Sequence, residues 1–248
     1  MTATYSHPTH PGHAKLAAAA QAQGSNVLKI PLEESERDPH ALPSFELEEH
    51  KSPVLYLPPP LSSLPERVAH HDVPANDSAY LTTETRLPDI DPASLSLHKA
   101  LHHFHPITPD YTEVPYADAF NWSELELPED EEREWYCVVF RSKRKPGSDG
   151  NSLYEADKLA HEEAVQNGGL IMYWYGIPNE RTGVNMATCI WQSRKHASAA
   201  NSRPHHIKAM RLAAQSYETY ELQRHVLRKV KGEKGVTLDQ WSGGDVGW

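Results

Sequence analysis

Of the 20 prolines in this chain, 17 lie before Trp135, whereas 11 of its 13 glycines lie after it. Proline locks φ and removes a backbone donor, so it interrupts helix interiors and sheet ladders alike. A continuous sheet is therefore expected only downstream of Leu127-Pro128. Charge divides at the same place: residues 1–134 carry 8 Lys or Arg against 23 Asp or Glu, and residues 135–248 carry 16 against 11. An acidic arm of net −15 thus precedes a basic body of net +5, and opposite charge favours contact between them.

Residues 1–50 mix His, Pro, Ala and Glu without a sustained period and read as a disordered tail. Residues 51–134 read as a Pro-rich acidic arm that wraps the body in extended form. Its PVLYLPPPLSSLP segment favours polyproline II, suited either to an SH3-type groove or to packing on the chain's own body. Asp91 is placed as the N-cap, and Pro92 as the first residue, of a short helix near 92–104. The stripe Leu97, Ala100, Leu101 and Phe104 on that helix needs a surface to bury it. His98 and His102 have the i, i+4 spacing of a chelating pair, but the histidines here read as a solvated face and no metal is expected. Trp122, in polar surroundings, reads as an anchor for the arm.

From Trp135 onward the pattern becomes regular. WYCVVF is an aromatic and β-branched run, hence a buried strand, and RSKRKPGSDGN reads as a loop. Ser152 and Glu155 form a capping-box pattern ahead of the stripe Leu153, Ala156, Ala160, Ala164, and Asn167-Gly168-Gly169 ends that helix. LIMYWYGI and VNMATCIW flank the turn residues PNERTG as two antiparallel strands. Ser193 is placed as an N-cap, and Pro204 opens the following helix. YETYELQRHVLRKV alternates as a fourth strand. The order over 135–231 is β-α-β-β-α-β, the split βαβ arrangement of an α+β, ferredoxin-like sandwich, and 232–248 reads as a C-terminal tail. Tyr173, Trp174 and Tyr175 in succession make the sheet apolar on both faces, so something must cover its second face. A face-to-face homodimer is the simplest solution.

The junction IWQSRKHASAA and the helix that follows it resemble the dimeric α+β barrel proteins related to antibiotic-biosynthesis monooxygenases. The body and the Pro-rich arm together are similar to an uncharacterised family of fungal proteins with this barrel. That resemblance implies a pocket between sheet and helices. Its relatives include cofactor-free oxygenases and haem-binding proteins, so it implies fold more than function.

The candidate chemistry gathers at the third strand's end. Arg194, His196 and His206 are the expected catalytic set, a base at His196 or His206 with Arg194 steadying an anion. Tyr173, Tyr175, Asn185, Trp191, Arg203 and His205 are the expected ligand contacts. No cofactor is expected. Haem is the alternative, with His196, His205, His206 or His225 as axial ligand. Expected partners are a small hydrophobic or aromatic molecule and a second copy of the chain; a non-enzymatic interaction protein using the arm is the other class. The basic run RSKRK lacks the aromatic strand pattern of an RNA-binding sheet, so nucleic acid is not expected. Cys137 and Cys189 sit in apolar runs, which suits reduced thiols in the cytoplasm. No apolar run reaches the ~18 residues of a membrane span.

Overall fold

The computed structural model describes residues 37–43, 52–60, 90–148 and 150–247. All of them belong to the unit Glu34–Trp248. Most of the tail 1–50 therefore lies outside the described residues, as do residues 61–89 of the arm.

Six strands form one antiparallel sheet: β1 (Val54–Tyr56), β2 (Arg133–Arg144), β3 (Leu170–Tyr175), β4 (Val184–Trp191), β5 (Tyr217–Lys229) and β6 (Val236–Gln240). Their spatial order is β1-β3-β4-β2-β5-β6. In the central four, β4 lies between β2 and β3, which are joined by helix α3 (Asn151–Asn167). That is the split βαβ unit of an α+β, ferredoxin-like fold. The second crossover carries α4 (Arg194–Asn201) and α5 (Pro204–Ser216). Among the described residues no helix is long and apolar enough to cross a membrane.

Several local readings shift for identifiable reasons. RSKRK does not form a loop at once, because β2 continues to Arg144, paired with β4 on one side and β5 on the other. Helix α3 is preceded by Gly150 rather than capped by Ser152. The C-terminal segment supplies β6, which covers the free edge of β5 from His225↔Gln240 to Lys229↔Val236. Val54–Tyr56 pairs with β3 as an edge strand before the three prolines begin, and the run Pro58–Pro60 stops the ladder from extending. Ser193 does cap α4, its side chain accepting from the His196 amide.

Alternation along the strands separates two faces. Trp135, Cys137 and Val139 of β2 join Trp174, Met186, Ile190 and Leu227 on one of them. Tyr136, Val138, Cys189, Trp191 and Val226 lie on the other. The first face is covered by the chain's own residues 92–127. Helix α1 (Pro92–Ala100) begins at Asp91, whose carboxylate accepts from the Ser94 amide at 2.8 Å. Ser94 Oγ in turn accepts from the Trp135 indole at 2.8 Å. After a 3-10 turn at Leu101–His103 the chain passes through α2 (Tyr116–Ala119) to a second turn at Trp122–Glu124. Leu97 and Leu101 are completely buried. Phe104 stacks on Phe120 at 4.5 Å between ring centres, and Phe120 meets Trp174 edge to face at 4.8 Å. The second apolar face of the sheet is thus covered by residues of the same chain.

Burial, more than charge, holds this cover down. Arg141 of the basic run reaches it through backbone acceptors, donating to the carbonyls of Thr112 at 3.0 Å and Val114 at 2.6 Å. Tyr111 closes a two-way clip with Ile177, donating to its carbonyl at 2.9 Å and accepting from its amide at 3.0 Å. This clip explains Gly176, where a Cβ would lie 2.4 Å from the Tyr111 hydroxyl. His98, read from sequence as solvated, is 6% exposed and donates from Nε2 to the Pro58 carbonyl at 3.2 Å.

Candidate functional site

The helix-covered face is hollow. Between the sheet and helices α3, α4 and α5 lies a cavity of about 780 Å³, within the size range of sites that enclose small organic ligands. The hollow arises because the helices present small residues toward the sheet. Ala160 and Ala164 of α3, Ala197 of α4, and Ala209 and Ala213 of α5 all line it. The strands oppose them with aromatic rings, among them Tyr136, Tyr173, Trp191, Tyr217 and Tyr220. Large rings facing alanines leave space between the two layers.

Into this apolar space project a few titratable groups. His206, in the first turn of α5, lines the cavity, and its Nδ1 is buried without a hydrogen-bond partner among the described residues. Burial, reinforced by the neighbouring His161, holds its imidazole below the ordinary value. His206 is therefore neutral near pH 7 and carries a lone pair. His161 stands on α3 with Asp157 one turn before it: its Nδ1 donates to the Asp157 carbonyl at 2.8 Å and lies 3.9 Å from the carboxylate. The His161 ring packs edge-on against Tyr173, with centres 4.0 Å apart.

Burial also pushes the cavity phenols up. Tyr173 lies well above the ordinary value, Tyr175 and Tyr220 are raised, and Tyr217 moves to about 12. All four stay protonated at neutral pH and can donate to a bound oxygen. The Cys189 thiol is pushed up to about 12 by the same cause and accepts from the Trp191 indole at 3.0 Å. It is a buried thiol, not a nucleophile. Cationic groups flank Trp241, which also lines the cavity: Arg194 lies 5.4 Å and Arg224 5.9 Å from its ring centre. Arg194 also pairs with Asp245 at 3.4 Å.

Of the residues singled out from sequence, Tyr173, Tyr175, Asn185, Trp191, Arg194 and His206 come together around this cavity. Asn185 turns its side-chain oxygen to the Met186 amide at 2.8 Å. His196 is not among the lining residues. Its ring lies over Gly169, where a Cβ would meet it at 2.2 Å, and its Nδ1 is 2.7 Å from Ser193 Oγ. Arg203 reaches away to the Asn167 side-chain oxygen at 3.3 Å, tying α5 to the end of α3. His205 is exposed, with its amide on Glu163 at 3.0 Å. His225 faces the opposite side of the sheet, 5.0 Å from the Tyr116 ring. Of the four histidines considered as haem ligands, His206 alone reaches the cavity.

Asp157, His161, Tyr217, Tyr220, Arg224 and Trp241 were missed. Asp157 and His161 could have been found, since Asp157 lies three residues before Ala160 and His161 three before Ala164, the spacing that puts them beside the alanine stripe. Trp241 could not, because nothing local places a C-terminal tryptophan beside Arg194.

The sequence profile of a family described as PB2B2.08-like matches residues 76–240. The UPF0643 protein PB2B2.08 of Schizosaccharomyces pombe is 31% identical over 137 residues, 49% of this chain. The match spans 62% of that relative's length. Among solved structures, SnoaB, a cofactor-independent oxygenase from Streptomyces nogalater, aligns at 10% identity and a TM-score of 0.33, covering 41% of this chain and 99% of that one. A putative antibiotic biosynthesis monooxygenase from Nitrosomonas europaea aligns at 15% identity and a TM-score of 0.32, covering 38% and 89%.

Proposed function

This chain belongs to the PB2B2.08-like family, and from that premise we propose that it is a small-molecule-binding, monooxygenase-like protein that takes a flat aromatic metabolite into the cavity beneath α3 and α5. The family description names no reaction, so the reading rests on one observation: a cavity of about 780 Å³ with aromatic walls that keeps His206 neutral.

The chemistry suited to those groups needs no resident cofactor. A substrate with a methylene activated by an adjacent aromatic ketone or phenol loses a proton to His206. The resulting anion is delocalised into the ring, where protonated tyrosines donate to its oxygen and Arg194 and Arg224 supply positive charge. Dioxygen, itself apolar, enters the same space and takes electrons from the anion. One oxygen atom becomes the new carbonyl oxygen and the other leaves as water. Oxidation of CH2 to C=O releases four electrons, which equals what dioxygen accepts, so no external reductant enters the balance.

Anthrone, a tricyclic ketone with such a methylene, is a suitable probe. The purified full chain is expected to quench its tryptophan fluorescence on binding anthrone and to consume one dioxygen per turnover, with His206→Gln retaining binding and losing at least tenfold in turnover. Binding without oxygen uptake would overturn the oxygenase reading and leave a carrier. A Soret band on haem titration that disappears in His206→Ala would replace the cofactor-free reading with a haem protein.

A further inference from the structure

Away from the cavity, three histidine rings converge where the segment 37–43, the end of β1 and helix α1 meet. His40, His98 and His102 have ring centres 5.2 to 5.8 Å apart. His98 spends its Nε2 on the Pro58 carbonyl. The other two are oriented differently. His40 Nδ1 lies 2.9 Å from the Leu57 carbonyl oxygen, and His102 Nδ1 lies 3.0 Å from the carbonyls of His98 and Lys99. A carbonyl oxygen can only accept, so both Nδ1 atoms carry the proton. Both Nε2 atoms then present lone pairs, and the two atoms lie 3.2 Å apart.

Two lone pairs at that distance need something positive between them. Either one extra proton is shared, or a metal ion binds both. The separation suits the second: two nitrogens each ~2.05 Å from a tetrahedral ion lie ~3.3 Å apart. The surroundings suit it as well, because imidazole ligands characteristically donate their other N–H to a carbonyl, which fixes tautomer and ring orientation. Among the described residues no group of three or more His, Cys, Asp or Glu converges to complete a coordination sphere. His102 is exposed, and so is His40, so water can fill the remaining positions.

We propose that His40 and His102 form a two-imidazole site for a divalent transition cation of the zinc, copper(II) or nickel class. These borderline ions prefer imidazole, whereas magnesium and calcium prefer oxygen. The site acts as a clip. His40 belongs to a segment already tied to the residue after β1, where the Leu57 amide donates to the Pro39 carbonyl at 2.8 Å, and His102 lies in the 3-10 turn that follows α1. A bound ion joins the two, stabilising the cover without touching the cavity. Metal and proton compete for the same lone pairs, so binding weakens as pH falls.

The test is zinc chloride titrated into the metal-free full chain, with bound equivalents and Tm recorded for wild type, His40→Gln, His102→Gln and the exposed-site control His103→Gln. The expected result is one equivalent of zinc fewer in His40→Gln and in His102→Gln, with loss of the zinc-dependent rise in Tm, while His103→Gln keeps both and magnesium has no effect. Equal stoichiometry and an equal rise in Tm for wild type and the His40/His102 double variant would overturn the site. Should the variants unfold, wild type alone decides: zinc is expected to protect His40 and His102, but not His103, from diethyl pyrocarbonate as read by peptide mass. Equal modification of all three with and without zinc overturns the proposal.

Discussion

The two faces of one sheet are finished in opposite ways. The face under residues 92–127 is covered mostly by turns, loops and short helices, yet it is filled solidly by Leu97, Leu101, Phe104, Phe120 and Trp174. The face under α3, α4 and α5 is covered by regular helices and holds about 780 Å³ of space. Regular cover is therefore not the same as dense packing. An irregular segment can place large rings wherever the sheet has gaps. A helix presents side chains on a fixed 3.6-residue period, and this chain puts alanines at the facing positions. On the proposed function the division separates stability from chemistry: the dense aromatic packing lies on the arm side, and the groups assigned to binding and reaction lie on the helix side.

Substitutions on the two faces should separate these roles, and the largest effect is expected on the solid one. Trp174, 2% exposed and wedged against Tyr111 and Phe120, should cost ~3–5 kcal/mol when replaced by alanine. Tyr220→Ala on the hollow face, where the residue as a whole is 49% exposed, should cost less than ~1 kcal/mol. Urea denaturation of both variants measures the contrast, and equal losses would break it.

Next in size is occlusion of the hollow. Ala213→Trp places a ring in the cavity and is expected to weaken binding of an aromatic probe by about tenfold or more, ~1.4 kcal/mol, while leaving the urea midpoint nearly unchanged. If binding is retained, the ligand lies elsewhere. Loss of the Asp91 cap tests the solid face more gently: Asp91→Ala should cost ~1 kcal/mol through the Ser94 amide it accepts from, with a further loss from its contact with Arg133 at 3.4 Å. Circular dichroism melts of Asp91→Ala and Asp91→Asn, the second keeping the cap, separate the two contributions.

The smallest effect concerns pH. Burial holds His98, His206 and His225 below the ordinary imidazole value. The unfolded chain takes up protons on these groups near pH ~6.5, whereas the folded chain resists until lower pH. Their contribution to stability is therefore complete above ~6.5 and declines as pH falls through the window between the unfolded and folded values. Two of the three, His98 and His225, lie on the arm side, so His225→Phe is expected to flatten the loss of stability between about pH 7.5 and about pH 5.5. An unchanged slope would place the sensitivity outside that face.

Much of the fold was legible because it is written in short-range patterns. Strand runs bounded by turn residues, the Asp91-Pro92 helix start and the Asn167-Gly168-Gly169 stop each act within a few residues. β6 was not, since VTLDQ has no strong pattern of its own and is a strand because β5 offers it an edge. The site divides likewise. Tyr173 and Tyr175 follow from alternation, and His206 from its place at a helix start. His196 has the same local credentials and yet turns to Gly169, because the close approach of β3 to α4 sets its direction. The arm's acidity suggested docking by charge, but Arg141 uses carbonyls and the rings supply the contact.

By itself the sequence determined the kind of units this chain makes and their order, because proline, glycine, caps and hydrophobic period act locally through φ, donors and side-chain direction. Tertiary structure decided which face each unit would cover. Those outcomes, a solid face under residues 92–127, a hollow one beneath alanine-lined helices and two imidazole lone pairs brought together from residues 62 apart, depend on distances between segments that no local pattern encodes.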